Sequence, residues 1–535
     1  MIGDTPGGLV LHAVYSLLAL VWILIALALD AVKYVGLVAW ALLAWIMTSF
    51  MTLSRVSPRP LFWSWHRIDL DDLEFPDNFL WGVATAAHQV EGGCTNNNWS
   101  KWETTKRDPP TIAHGQVAGD ACDHWNRYKE DVQLIKQLGC ATYRFSIEWS
   151  KVEPQQGVFD ETAISHYHDI IDCLIDAGVM PMVTLLHFTH PLWLDEMGAF
   201  EKEENVAHFV TYAERMYDEY GSKVKYWCTL NEPEVCTANG YVIGVFPPGK
   251  LGALQQAGEV VRNLLRAHVA VYFAIKEKAA SAQQESHVGI VKDLFQFHPN
   301  KWYNLLEHFL AWQCDLLFNG AIIEFLRTGR FHFWVPFAGR VYYRDKRAPS
   351  ANDFVGLNYY SHYHVSISNL ILNPELHEKL LARRREVMTD MPHCMYPEGL
   401  YSALKTMSKI GKPIIVTENG VADRLDTLRP LYIRSSSLAV LLRPNSSASQ
   451  TRDGSNHDAA GVANACRRYL YSLSRAIKEG VPVLGYYHWS LLDNFEWCEG
   501  YEMKFGLYEV NFETQQRRMR DGAKVVMSAL LPHGM

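Results

Sequence analysis

The 535 residues contain no recognisable nucleotide-binding or metal-binding signature. No apolar run is followed by GxGxxG or by a complete GxxxxGK[ST], so a phosphate-cradling loop is not expected. None of the ten cysteines forms a CxxC pair, and no Cys/His group has zinc-ligand spacing. The cysteines read as buried thiols of a reducing compartment, with at most one disulfide. The 22 histidines include no HExxH; His362 and His364 alternate along a strand and read as structural. No metal and no cofactor is expected. Positive charge is sparse too: the net charge is −8 and the only basic triplet is Arg383-Arg384-Arg385. Without a clustered basic face, a nucleic-acid role is excluded. The sequons at Asn98 and Asn445 are too short a pattern to carry weight.

What is present is apolar. Hydrophobic residues make up 48% and charged ones 20%, which excludes a disordered or fibrous chain. The length suits three or four average domains, or one large α/β barrel with attachments. The aromatic excess (17 Trp, 26 Tyr, 23 Phe) suits sugar stacking and suits a large core equally well.

Residues 1–60 read as a membrane anchor. Residues 9–29 carry no charge, Asp30-Ala31-Val32-Lys33 interrupts, and residues 34–53 are apolar again. Either run is long enough to cross a hydrocarbon core of roughly 30 Å at about 1.5 Å per residue. A secretory signal peptide fits poorly, because no Lys or Arg precedes the first run. Two arrangements are expected: two spans joined by a tight turn, or one span followed by an interfacial helix. Arg55, Arg59 and Arg67 follow the second run, so the positive-inside rule puts the remaining chain in the cytosol. Phe62, Trp63 and Trp65 would then sit at the membrane–water interface.

From Asp69 onward short apolar runs alternate with amphipathic stretches. Residues 131–138 and 164–177 look helical. Residues 141–147, 180–186, 224–230, 288–291, 354–357, 414–417 and 483–487 look like strands. Alternating β and α units imply a parallel sheet, and about eight of them favour a closed (β/α)8 TIM barrel over the doubly wound open sheet. Many of these strands end in reactive or polar residues: Arg144, His187, Asn231-Glu232, Asn358, Glu418 and Trp489. In a barrel all such ends open onto one mouth.

Glu232 and Glu418 both follow apolar strands, where a solvated charge is out of place. Each alone could be a structural, ion-paired carboxylate. Together they match the pair that glycosidic cleavage requires, one acid and one nucleophile or base, held roughly 5–5.5 Å apart in retaining enzymes. Glu232 would need a raised pKa to act as acid, and Glu418 would need to stay ionised, which Arg144 could ensure.

Five stretches then carry a family resemblance. They are Phe79-Leu80-Trp81-Gly82-Val83-Ala84-Thr85-Ala86-Ala87-His88-Gln89-Val90-Glu91-Gly92, Tyr143-Arg144-Phe145-Ser146-Ile147-Glu148-Trp149, Asn231-Glu232-Pro233, Glu418-Asn419-Gly420 and Trp489-Ser490-Leu491-Leu492-Asp493-Asn494-Phe495-Glu496-Trp497. In these, residues 69–533 resemble glycoside hydrolase family 1, the β-glucosidase family. The resemblance implies Glu232 as acid/base and Glu418 as nucleophile, with Arg144 and Tyr360 hydrogen-bonded to Glu418. It implies Asn231 and Asn358 beside the reacting sugar. Gln89, His187, Glu496 and Trp497 would bind its hydroxyls, and Trp489 would lie beneath it. Glu496 argues for an unphosphorylated sugar, because it would repel a phosphate.

Three departures stand out. A leucine precedes the histidine in Leu186-His187-Phe188. Pro392-His393 replaces the family's Gly-Trp, so the aglycone wall is altered. Residues 427–465, rich in Ser, Asn and Arg, stand where the family has a short connector and read as a disordered insertion. The expected partners are a β-glucoside or a glycolipid, and the membrane. Two other readings remain: a membrane-surface transglycosidase acting on glycolipid or steryl glucoside, and a non-catalytic sugar-binding relative.

Overall fold

The protein is described by a computed structural model covering residues 6–53, 60–70, 72–367, 384, 386–426, 428 and 465–523, with side chains described from 17 to 44 in the first stretch and from 467 in the last. Eight parallel strands close into a barrel: β1 (Leu80–Ala84), β2 (Thr142–Ser146), β3 (Met180–Leu186), β4 (Tyr226–Asn231), β5 (His287–Asp293), β6 (Phe354–Asn358), β7 (Ile414–Asn419) and β8 (Val483–Trp489). Each pairs with its neighbour in sequence, and β8 closes on β1 with Gly82 opposite Tyr487. The strands are apolar because helices cover the outside of the barrel and side chains fill the inside. Ile414, Ile415 and Val416 on β7 are all fully buried.

Seven of the strands fall where the apolar runs predict them. The run at 288–291 stops short, since β5 continues through Lys292 and Asp293. β1 has no counterpart among the apolar runs, because a glycine at its centre weakens the signal. Gly82 is required by packing: a Cβ there would lie 2.6 Å from the Thr142 carbonyl oxygen and 2.7 Å from the Tyr487 ring.

The N-terminal segment departs from both expected arrangements. Pro6–Leu53 is one unbroken helix of 48 residues. Asp30-Ala31-Val32-Lys33 contains neither Gly nor Pro, and Lys33 Nζ reaches Asp30 Oδ1 at 3.3 Å one turn back. The charged pair is therefore satisfied within the helix and does not break it. From Leu17 to Ala44 the mean hydropathy is 2.1, and nothing in its most apolar window is buried. The helix meets the rest of the chain where Trp40 packs edge-on against Phe309, 5.5 Å between ring centres, on the helix Leu305–Asp315.

Trp63 and Trp65 are also placed differently from expectation. They lie half-buried against the barrel, where the Trp63 amide and the Trp65 indole both donate to Glu398 Oε1 at 3.0 and 2.7 Å. Phe62 remains 60% exposed. The insertion expected at 427–465 lies outside the described residues, apart from Leu428 and Ala465. The nine cysteines whose side chains are described are all free. Asn98 is buried and donates to the Phe188 carbonyl oxygen at 3.1 Å, so its sequon has no room for a glycan.

Candidate active site

Strand register brings the polar strand ends together. Glu418 lies opposite Asn358, and Ala84 lies opposite both Arg144 and Trp489. Glu232 follows β4 directly and precedes Pro233, which starts a short helix. Its backbone is left-handed, with φ 44° and ψ 63°. Phe188 (φ 67°) and Trp497 (φ 49°), also at the mouth, share that conformation. Such strain costs on the order of 1–3 kcal/mol per residue and persists where the surroundings fix a side chain for a purpose.

The two carboxylates are built into one hydrogen-bonded chain. Glu418 accepts from Arg144 Nη1 at 2.6 Å and from the Tyr360 hydroxyl at 2.7 Å. Arg144 Nη2 donates to Asn231 Oδ1 at 2.7 Å, and Asn358 Nδ2 bridges Asn231 Oδ1 (3.2 Å) and Glu232 Oε1 (2.6 Å). All of these except Tyr360, which is partly exposed, are buried. Burial works against the Arg144 cation, but the negative groups around it, Glu418 first, together outweigh burial and hold the guanidinium charged. Burial first, then Glu418 and Asp293, push Glu232 well above the usual carboxylate range. The Tyr360 phenol is pushed up by burial and by Glu418, so it remains a donor. The site therefore holds one carboxyl that keeps its proton beside another that receives two donors, which is the asymmetry acid–nucleophile chemistry needs.

The remaining expected residues join the same cluster. Asn231 Nδ2 donates to His187 Nε2 at 3.2 Å. Burial, with Arg144 nearby, holds the His187 pKa well below its ordinary value. The neutral ring then carries its proton on Nδ1, which is buried and has no partner within the protein. Gln89 Nε2 donates to the Phe495 carbonyl oxygen at 2.8 Å, to Asn494 Oδ1 at 3.0 Å and to Glu496 Oε2 at 3.4 Å, while its own Oε1 is buried without a partner. One donor and one acceptor are thus left unpaired within the protein beside the carboxylates, a match for sugar hydroxyls. The His187 ring is nearly parallel to those of Trp489 and Trp497, 6.0 and 6.1 Å away. Glu496 is pushed up to about 8 by burial and by Glu418. His393, the altered wall residue, lies with its ring 6.3 Å from that of Tyr360.

Asp293 escaped the sequence reading. It ends β5, is buried, and its backbone amide donates to Glu234 Oε1 at 2.6 Å; Glu234 also pairs with the buried Lys292 at 3.4 Å. Extending the run at 288–291 by two residues would have found it, since a strand end of this barrel points at the mouth.

Arg144→Met is expected to strand the buried Glu418 carboxylate. Removing one partner of a buried pair costs about 3–5 kcal/mol, so chemical denaturation of the variant should show a loss of that size. An unchanged midpoint would mean that Arg144 is not what neutralises the site.

The sequence profile of glycosyl hydrolase family 1 matches residues 72–534. β-Glucosidase A of Thermotoga maritima is 33% identical over 462 residues, covering 84% of this chain and 96% of its own. Among solved structures, a β-glycosidase from Pyrococcus horikoshii matches with TM-score 0.67 and 32% identity, over 85% of this chain and 94% of its own. A Thermotoga maritima β-glucosidase in complex with castanospermine matches with TM-score 0.69 and 29% identity, over 85% and 98%. Likeness in sequence and in structure spans the whole barrel: the chain belongs to glycosyl hydrolase family 1 and is a glycosidase.

Proposed function

We propose that the protein is a membrane-anchored, retaining exo-β-glucosidase that removes terminal non-reducing β-D-glucosyl residues. The observation that carries this reading is the unequal pair at the mouth, with Glu232 held protonated and Glu418 held between Arg144 and Tyr360. In the first step Glu418 attacks the anomeric carbon while Glu232 protonates the leaving oxygen. In the second, Glu232 takes a proton from water, which releases the sugar with its anomeric configuration retained. His187 Nδ1 and Gln89 Oε1 bind hydroxyls of the sugar, with Trp489 beneath its ring. Galactosides and fucosides share enough of this pattern to be secondary substrates.

The Glu496 carboxyl, raised to about 8, is mostly neutral near pH 7. Repulsion of a phosphosugar is therefore weaker than the residue type suggests, and it grows as the pH rises through that value. The test is substrate release by the full-length protein in detergent. Aryl β-glucoside should be cleaved, α-glucoside should not, and a 6-phosphoglucoside should be disfavoured, more so at pH 9 than at pH 6. Cleavage of the α-glucoside in preference would overturn the reading.

The anchor is the helix Pro6–Leu53. At about 1.5 Å per residue it is roughly 72 Å long, so some 20 of its residues suffice for a bilayer. The arginines at 55, 59 and 67 support a cytosolic catalytic domain. Alkaline carbonate should leave the protein in the membrane, and sealed vesicles with their cytosolic face outward should leave the barrel open to protease. Release by carbonate would exclude the anchor, and protection would reverse the orientation.

One contact favours a glycolipid or steryl glucoside as aglycone source. The apolar helix packs on Leu305–Asp315, a helix of the connection between β5 and β6; that connection leaves β5 at the mouth, which would bring a glycolipid head group in the same bilayer toward the site. Glucosylated lipid in vesicles should then be hydrolysed faster than the same head group on a soluble chain. With a lipid acceptor added, transfer product would separate transglycosylation from hydrolysis.

A further inference from the structure

A second group of chemically capable side chains sits apart from the two glutamates. His362 and His364 lie on the strand His362–Val365, which runs parallel to Gln296–Pro299. Being two residues apart, they share one face. Glu386 lies between them, its Oε2 3.0 Å from His362 Nε2 and its Oε1 2.8 Å from His364 Nε2. Cys394 Sγ reaches the same Oε2 at 3.1 Å. Both histidines and Cys394 are at least 98% buried.

We propose that His362, His364, Glu386 and Cys394 form a closed four-ligand site for a zinc-class divalent cation. The ligating atoms of the two histidines and the glutamate all lie within 4.8 Å of one another. Around tetrahedral zinc, with Zn–N of about 2.1 Å and Zn–S of about 2.3 Å, neighbouring ligand atoms stand roughly 3.3–3.8 Å apart. The 2.8 and 3.0 Å contacts of the histidine–glutamate triad need to open by only a few tenths of an ångström, whereas Cys394 Sγ, 3.1 Å from Glu386 Oε2 but outside that 4.8 Å cluster, has to turn toward the cation to become the fourth ligand. Two imidazoles, a carboxylate and a thiolate are a borderline-soft set, which suits Zn²⁺ and excludes Mg²⁺ and Ca²⁺. On binding, the Cys394 proton leaves to solvent and both Nε2 atoms present lone pairs to the cation. Arg384, whose Nε is 3.0 Å from Glu386 Oε1 and whose side chain is 30% exposed, moves out to water.

The other group of similar composition among the described residues, His88, Cys94 and Glu148, is already complete. Both His88 nitrogens are engaged, by Glu103 and Asn97, and Glu148 accepts from Asn97, Ser150 and Thr189. By contrast, the Nε2 atoms of His362 and His364 meet only the one carboxylate, that of Glu386. With four protein ligands the cation is structural rather than catalytic. It closes the segment from Glu386 to Cys394, whose neighbour His393 faces Tyr360, and so fixes the aglycone wall.

The full-length protein in detergent, stripped with chelator, is titrated with Zn²⁺ and separately with Co²⁺. One Zn²⁺ per chain should bind at about micromolar free metal or below. Co²⁺ should give a tetrahedral visible spectrum with a thiolate-to-metal charge-transfer band. Cys394→Ser should lose that band, and the His362→Gln/His364→Gln double variant should bind at least roughly 100-fold more weakly. Failure of the unmodified protein to take up stoichiometric zinc overturns the proposal, as does uptake and a cobalt spectrum unaltered by either variant. Because the unmodified protein alone gives both readouts, a variant that fails to fold does not rescue the idea.

Discussion

Replacing Glu418 by Gln is expected to lower kcat for aryl β-glucoside hydrolysis by roughly 10⁴-fold or more with the fold preserved. An amide oxygen carries no charge to form the glycosyl ester, so the first half of the double displacement has no nucleophile. The fold survives because Arg144 keeps two other acceptors, Thr184 Oγ1 at 3.0 Å and Asn231 Oδ1 at 2.7 Å. The cost in stability should be that of weakened charge-assisted hydrogen bonds, about 1–3 kcal/mol. A smaller side chain gives a second readout. Glu418→Ala leaves room for azide, which would attack from the face that Glu418 occupied and give the α-glucosyl azide. Wild-type turnover in Glu418→Gln, or a β-azide from the alanine variant, would contradict the assignment.

Glu232→Gln is expected to separate substrates by their leaving groups. General acid assistance contributes typically 10²–10⁴-fold, and it matters most where the departing oxygen is basic. With an alkyl glucoside, kcat/KM should fall about 10³-fold. With a dinitrophenyl leaving group, which needs no proton, glycosylation should be nearly unchanged. Deglycosylation still lacks its base, so kcat and KM should fall together as the glycosyl-enzyme accumulates. The alkaline limb of kcat/KM for the wild type should follow loss of the Glu232 proton and vanish in the variant. The sign for stability follows from the same shift. Burial, Glu418 and Asp293 raise the folded-state pKa of Glu232 above its unfolded value, so the folded protein binds the extra proton more tightly. That contribution is fully present below the unfolded carboxylate pKa and is lost as pH rises through the raised one. Glu232→Gln cannot ionise, so its stability should decline less over that window. An equal loss of activity for both leaving groups would mean that Glu232 does not donate the proton.

Most of this site was legible because a parallel barrel is a simple device: buried apolar strands are conspicuous, and polar residues just past them have only one mouth to enter. Arg144, His187, Glu232, Asn358 and Glu418 could be read that way. What escaped did so for local reasons. β1 hid behind Gly82, which the Tyr487 ring and the Thr142 carbonyl require. Asp293 hid because the apolar run ends at Val291, whereas Lys292 beyond it is buried against Glu234 and the strand continues. The N-terminal segment looked like two helices because Asp30 and Lys33 punctuate it, yet one turn of helix lets the two satisfy each other. The histidine cluster could not be read at all. Glu386 stands 22 and 24 residues from its two histidines, a separation that no local pattern spans. Likewise Trp63 and Trp65, read as interfacial aromatics, found Glu398 and the barrel, a pairing across more than 330 residues that no local pattern announces.

The central claim is that Glu418 forms a covalent bond to the sugar. A 2-deoxy-2-fluoro-β-glucosyl fluoride tests it directly, since the ring fluorine slows both steps while the good leaving group keeps the first one running. The full-length protein should lose activity with time and gain one fluoroglucosyl unit in mass. After proteolysis the label should sit on the peptide that contains Thr417-Glu418-Asn419. A label on Glu232 or Glu496, or rapid turnover with no covalent species, would contradict the account.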